Sequence, residues 1–282
     1  MSKEDDKVRI GLALSGGGAR GIAHIGVLRA LEEEGIFPDE ISGSSAGAIA
    51  GALYASGISP ERMLDFVKGS SIMKILKVTV PYSGLAKLTY LQEQLERFIE
   101  SDRFEDLKRK LYITVTNLNK GRSEVLSGGK LFQAVLASSA IPLVFKPITI
   151  NGELFVDGGM LNNMPVQPLV DADLDIIIGV NVMPLVEASA RTVQSALGVA
   201  TRCFDLSIQS NTKPNESLCD VVIEPRRVHA YNIFQLNKYK DLEQIGYQAT
   251  MEKMPEIKKV IRTRTQEKQR DPAGKEAVNR GE

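Results

Sequence analysis

Cysteine and histidine are scarce in this 282-residue chain, and charge of either sign is in balance. The two cysteines, Cys203 and Cys219, exclude a disulfide framework in a chain this long and favour a reducing compartment. The two histidines, His24 and His229, stand far from the cysteines and from each other, which leaves no zinc-ligand pattern. Lys+Arg and Asp+Glu are equal at 35 each, so the chain lacks the electrostatic footprint of a general nucleic-acid binder. Long apolar runs are missing as well. The longest stretch without charge or strong polarity, around Ala46–Ile58, is short and rich in glycine and alanine, whereas a spanning helix needs about 20 apolar residues. The start, Met1 to Lys7, is acidic and polar without the apolar core of a signal peptide. These absences lead us to expect a cytoplasmic protein, peripheral at the membrane at most.

What is present is an alternation of strand and helix signals. Val8–Leu14 is an apolar run closed by Ser15 and three glycines. Gly21–Glu34 has helical spacing and stops at Gly35. Ile36–Ser42 predicts a strand, Ala46–Ser56 a helix ended by Gly57, and Ser59-Pro60 the start of another. Helices are expected over Leu88–Glu100, Lys130–Ser138 and Thr192–Gln209. Strands are expected over Leu111–Asn117, Ser123–Leu126, Asp175–Val182 and Asp220–Ile223, with a hairpin at Asn151-Gly152. This order argues for an α/β fold with a parallel or mixed sheet covered on both faces. From Lys258 onward the chain is highly charged, so the expected division is a folded domain over 8–257 and a frayed or disordered tail over 258–282.

Two glycine clusters carry the chemistry. Gly16-Gly17-Gly18-Ala19-Arg20-Gly21 fits G-x-G-x-x-G between a strand and a helix. Its backbone N–H groups could hold a pyrophosphate or serve a plain tight crossover. The dinucleotide version wants an acidic residue at the end of the second strand, but Asp39 and Glu40 precede that end. The end holds Gly43-Ser44-Ser45-Ala46-Gly47 instead, a G-x-S-x-G sequence at a strand–helix junction. A nucleophilic serine on such a sharp turn needs small neighbours so that its Oγ projects, and a helix N-terminus beside it offers free N–H groups.

A serine nucleophile requires a base and an oxyanion hole. The tri-glycine loop can supply the second. For the first, the order Ser45, Asp157, His229 matches an α/β-hydrolase triad, but His229 sits in a charged stretch that reads as surface. His24 reads as packing or helix-end bonding. Asp157 ends the strand-like Leu154–Val156 and is followed by Gly158-Gly159, which allow close approach. By itself it reads as a turn former. With Ser45 and the glycine loop it completes a Ser–Asp dyad.

The set of Gly16–Gly21, Gly43–Gly47, Ala137-Ser-Ser-Ala-Ile-Pro142 and Asp157-Gly158-Gly159 resembles the patatin-like phospholipases in order and spacing, and among them the bacterial single-domain members related to neuropathy target esterase. The resemblance implies a three-layer α/β/α sandwich with a mostly parallel sheet and a lipid acyl-ester hydrolase without histidine. Carried over, Ser45 is the nucleophile and Asp157 the base. The oxyanion hole falls to the Gly16–Gly18 loop, chiefly the amides of Gly17 and Gly18. Arg20, Gly21, Gly43, Gly47, Gly158 and Gly159 support these motifs, and Asn162-Asn-Met-Pro165 would hold the aspartate loop. No cofactor and no metal are called for, because glycine amides would do a cation's electrostatic work. An acyltransferase using the same serine and a non-catalytic lipid-binding regulator are the alternatives.

The expected partner is a lipid or fatty-acyl ester, not nucleic acid; oligomeric state is not legible. Two acid-free stretches bear on where the lipid comes from. One, between Asp65 and Glu93, holds Lys68, Lys74, Lys77 and Lys87; the other, between Glu124 and Glu153, holds Lys130 and Lys146 with Leu143, Val144 and Phe145. Read as flanks of an acyl pocket, they would touch an anionic membrane surface. Read plainly, Ile72–Val80 is a buried element with lysines reaching outward.

Overall fold

A computed structural model describes residues 7–69, 88–188, 190 and 193–270. The lysines at 74, 77 and 87, and with them the middle of the first acid-free stretch, lie outside the described residues, while Lys68 pairs with Asp65 at 2.9 Å. The strands are β1 (Ile10–Leu14), β2 (Glu40–Ser44), β3 (Lys110–Asn117), β4 (Arg122–Leu126), β5 (Ile148–Ile150), β6 (Glu153–Asp157), β7 (Ile176–Val180) and β8 (Val221–Ile223). The helices described are α1 (Ala23–Glu33), α2 (Ala46–Ala55), α3 (Pro60–Gly69), α4 (Thr89–Phe98), α5 (Leu131–Ser138), α6 (Gln167–Asp171), α7 (Ala196–Glu216) and α8 (Tyr239–Arg270).

The strands form one mixed sheet in the hydrogen-bonded order β5-β6-β3-β2-β1-β7-β8, with β4 also on β3. β3, β2, β1, β7 and β8 run parallel, and β4, β6 and β5 run against their neighbours. The parallel strands are aliphatic because helices cover both faces, though unequally. On β1, Ile10, Leu12 and Leu14 join the main core under α1, α2, α5 and α8. The intervening Ala13 meets a small cluster on the other face, built from Met164, Val166, Leu169 and Ile177 around α6. The sandwich is therefore three-layered with one thick and one thin outer layer.

Three local expectations shift. The strand expected over Ile36–Ser42 begins at Glu40, because Pro38 has no N–H to give a ladder. There Asp39 instead ties the β1 start, its amide to Ile10 O at 2.7 Å and its carboxylate to Ile10 N at 2.8 Å. The helix expected to end at Gln209 continues to Glu216, started by Ser195, whose Oγ accepts from Gly198 N at 3.0 Å. The boundary expected at 257/258 falls inside α8, which runs unbroken to Arg270. Its charged end is held by the body of the domain: Lys258 pairs with Glu34, Arg264 with Asp220 at 3.4 Å and Lys268 with Asp175 at 2.6 Å, while Val260 and Ile261 pack on the core. A charge-rich sequence hid a helix whose apolar stripe is narrow.

Candidate active site

Ser45 stands alone between the last residue of β2 and the first of α2, at φ 51° and ψ −118°. This is a disfavoured backbone for a residue with a Cβ, and it turns the side chain outward from the sheet edge. The turn is this sharp because helix and strands meet backbone to backbone. A Cβ on Gly47 would lie 2.2 Å from the Leu14 carbonyl oxygen, and one on Gly43 would lie 2.5 Å from the Gly47 carbonyl oxygen. The Ser45 amide donates to Ser138 Oγ at 2.8 Å, and that hydroxyl donates to Thr114 O at 2.7 Å. The motif at Ala137–Pro142 thus reaches the site through Ser138, a role that its sequence did not reveal.

Asp157 arrives from the opposite direction. β3 pairs with β2 through Lys110–Thr114 and with β6 through Val115–Asn117, while β4 takes its other edge over Ile113–Asn117. β2 and β6 therefore lie end to end along one edge of β3, with Ser44 opposite Thr114 and Asp157 opposite the next residue, Val115. This register brings together two residues 112 positions apart: Ser45 Oγ donates to Asp157 Oδ2 at 2.6 Å. The other carboxylate oxygen accepts from Gly159 N at 2.8 Å. Burial pushes the Asp157 carboxyl up to about 6, against the opposing pull of these two hydrogen bonds. An aspartate so placed is a stronger base than an exposed one.

The turn after Asp157 is held from α7. Asn211 Nδ2 donates to the carbonyls of Gly159 and Met160 at 3.0 and 3.2 Å, and its Oδ1 accepts from Asn163 N at 2.8 Å. Asn215 Nδ2 donates to Met164 O at 2.8 Å and Asn162 Oδ1 at 2.9 Å. The Asn162–Pro165 segment, whose Asn162 amide donates to Gly158 O at 2.9 Å, is thus itself held by α7. Two asparagines at i and i+4 inside a helix, where asparagine is a poor helix former, were the available signal.

The glycine loop closes the site. The Gly16 amide is already committed to Asn163 O at 3.0 Å, so Gly16 is not a free donor, contrary to expectation; its hydrogen bond instead sets the loop's position. Among the described residues the amides of Gly17 and Gly18 have no such partner, and both residues border the cleft that contains Ser45 and Asp157. Gly18 adopts φ +55°, and a Cβ there would fall 2.6 Å from Ile233 O. Arg20 ties this loop to the 229–231 segment, with Nε donating to Tyr231 O at 2.9 Å. Gly21 lets the loop press on Ala46, whose Cβ would stand 2.3 Å from a Cβ there, and Gly158 passes the Thr114 carbonyl just as closely.

Neither histidine joins in. His24 is fully buried with Nε2 at 2.8 Å from Ser15 O, and burial pushes its pKa down to about 4, so it stays neutral. His229 is exposed, with Nδ1 2.5 Å from Arg226 O, and borders neither cleft.

Two clefts meet at Ser45. The larger, about 970 Å³, is almost wholly apolar and runs between α2, α3 and α4, past Ile49, Leu53, Met63, Phe66, Leu91 and Phe145. The smaller, about 390 Å³, is bordered by the glycines, Asp157, Asn163, Phe204 and Asp205. Asp205 was not singled out from sequence; burial raises its pKa while Arg20 and Arg202 lower it. Of the lysines in the second acid-free stretch, Lys146 follows Phe145. Lys130 precedes α5, about 12 Å of helix away from Ser138.

Residues 12–170 match the family of patatin-like phospholipases, and the chain belongs to that family. The lysophospholipase NTE1 of Phaeosphaeria nodorum is 32% identical over 194 residues, which cover 67% of this chain and 13% of that protein. An uncharacterized NTE family protein of Mycobacterium tuberculosis is 34% identical over 177 residues, 61% of this chain and 49% of its own length. The chain spans half or less of these curated relatives. VipD from Legionella pneumophila shares the fold, with a TM-score of 0.51 and 17% identity over 92% of this chain and 67% of VipD. So does human GIVD cytosolic phospholipase A2, solved with methyl gamma-linolenyl fluorophosphonate and terbium chloride. Its TM-score is 0.51 at 11% identity, covering 94% of this chain and 60% of that one. No helix among the described residues is long and apolar enough to cross a membrane.

Proposed function

We propose that the chain is a lipid acyl-ester hydrolase of the phospholipase or lysophospholipase type, working through an acyl-serine intermediate. The observation that carries this reading is the buried 2.6 Å hydrogen bond from Ser45 Oγ to Asp157 Oδ2 where the two clefts meet. In the first step Ser45 Oγ attacks the ester carbonyl as its proton passes to Asp157 Oδ2. The carbonyl oxygen becomes an oxyanion held by the amides of Gly17 and Gly18. Collapse breaks the ester C–O bond, and the departing alcohol takes the proton from Asp157. A water then attacks the acyl-serine, gives its proton to Asp157, and releases the fatty acid as Ser45 recovers that proton.

The apolar cleft suits the acyl chain, which gains roughly 0.8 kcal/mol per buried methylene. The smaller cleft is the place for the leaving alcohol, whose polar groups would meet Asn163 and Asp205. Membership of the patatin-like phospholipases and likeness to proteins named lysophospholipases support the lipid class. Labelling by a fluorophosphonate, with p-nitrophenyl ester turnover alongside, tests the reading. Labelling is expected in the wild type and not in Ser45→Ala, with turnover lost in Ser45→Ala and Asp157→Asn. Labelling that survives Ser45→Ala would assign another nucleophile, and turnover that survives Asp157→Asn would remove Asp157 as the base.

A further inference from the structure

Between α5 and β5 the chain makes one tight turn over Ile141 to Phe145, in which the amides of Val144 and Phe145 both donate to Ile141 O, at 3.2 and 2.9 Å. The ends of this turn face inward: Ile141 borders both clefts and Phe145 the apolar one. Leu143, at its tip, is 89% exposed, more than any other large apolar side chain among the described residues. It also adopts φ +67°, the left-handed region. Either feature is unfavourable for leucine, and they are independent. Glycine or asparagine would give the same turn without the backbone penalty and without an apolar side chain in water.

Other exposed apolar side chains belong to segments that border the same clefts. Phe234 borders the apolar cleft beside Ile233, Leu206 follows Asp205, and Leu185 and Val186 lie just beyond Met183. Around Leu143 the chain carries no acidic residue from Val125 to Gly152, while Lys146 is close by. We infer that Leu143 is an insertion tip that enters a lipid surface and seats the mouth of the apolar cleft on it. An acyl chain would then pass from one apolar phase to another without crossing water. The choice of a lipid surface as partner rests on the acyl-ester hydrolase reading; the misplaced leucine does not.

The test compares the full wild-type chain with Leu143→Asp and Leu143→Gly. Flotation with phosphatidylcholine vesicles, fatty acid release from those vesicles, turnover of dissolved p-nitrophenyl butyrate and thermal unfolding are measured for each. Leu143→Asp is expected to lower vesicle partitioning about tenfold, the scale of one lost apolar side chain, and fatty acid release with it. Butyrate turnover stays within about twofold. Leu143→Gly is expected to lower partitioning while raising the unfolding temperature, since it relieves the left-handed backbone. Unchanged partitioning in Leu143→Asp overturns the inference. So does an equal loss of butyrate and vesicle activity, which marks a structural role. A vesicle-free wild-type dimer that Leu143→Asp dissociates overturns it in favour of a second copy. A wild type inactive on both substrates, yet partitioning through Leu143, overturns the hydrolase reading and leaves the docking one standing.

Discussion

The turn that carries Ser45 and the turn that carries Asp157 reach the same point by different means. On the Ser45 side, backbone lies against backbone: α2 presses on β1 and β2 through Gly47 and Gly43, with no side chain between that could yield. On the Asp157 side only Gly158 makes such a contact, against the Thr114 carbonyl; the loop beyond it, over Gly159–Met164, hangs on amide side chains that α7 extends from about fifty residues further on. A steric turn tolerates no added atom, whereas a hydrogen-bonded one can lose a bond and keep its course. The Ser45 turn should therefore fail by unfolding, and the loop beyond Gly158 by losing activity in a folded protein.

The largest expected effect is chemical and tests whether the two sides work as a unit. Asp157→Asn should lower ester turnover by about 10³-fold, the scale of a lost general base, with the unfolding transition intact. Next comes Gly47→Ala. Its Cβ would meet a carbonyl oxygen at 2.2 Å, and the expected cost is about 3 kcal/mol or more, read as loss of soluble protein or a large drop in unfolding temperature. A Gly47→Ala protein that unfolds normally would break the contrast between the sides.

The pH dependence of stability sharpens the comparison further. The Asp157 carboxyl is raised by burial to about 6, so the folded state holds its proton more tightly than the unfolded state does. That contribution is fully present below pH 4 and is lost as pH rises through 6, a difference of about 3 kcal/mol. Asp157→Asn should therefore be more stable than the wild type above pH 6. His24 works the other way. Its pKa is lowered to about 4, and its stabilising contribution is lost as pH falls from 6.5 toward 4. The two opposing trends flatten the wild-type profile between pH 4 and 6. In Asp157→Asn the His24 trend stands uncovered, and thermal unfolding should show stability falling on acidification.

The smallest effect is expected from the clamp. Asn211→Ala removes the two hydrogen bonds to Gly159 O and Met160 O and the acceptor for Asn163 N. Turnover should fall about tenfold through kcat, with stability reduced by about 1–2 kcal/mol. An Asn211→Ala protein with full kcat would mean that the aspartate loop keeps its geometry from the β6 side alone.

The contrast also explains which parts were legible in the sequence. Ser45 was readable because the local signature of its turn lies within a few residues: a strand end, two glycines and an alanine-rich helix. Asp157 was readable as a strand end before two glycines, its pairing with Ser45 followed from a serine nucleophile's need for a base, and the family resemblance implied the same dyad. Asn211 and Asn215 were not found, because a polar pair on a helix does not announce the distant loop it serves. Gly16 was placed among the oxyanion donors because a run of glycines looks alike in sequence; only its neighbour Asn163 distinguishes it. The end of α8 was misjudged for a related reason. Its charges pair with Glu34, Asp220 and Asp175, which are far away in the chain.

Composition and local pattern determined that this is an α/β chain with a serine on a strand–helix turn and a glycine loop near it, since strands, turns and helix ends are set by short-range sterics and hydrogen bonding. The tertiary structure decided the rest. The shared edge of β3 placed Asp157 against Ser45 across 112 positions. The whole surrounding core, by excluding water, raised the carboxyl of Asp157, because desolvation is a sum over every neighbour and no segment carries it alone.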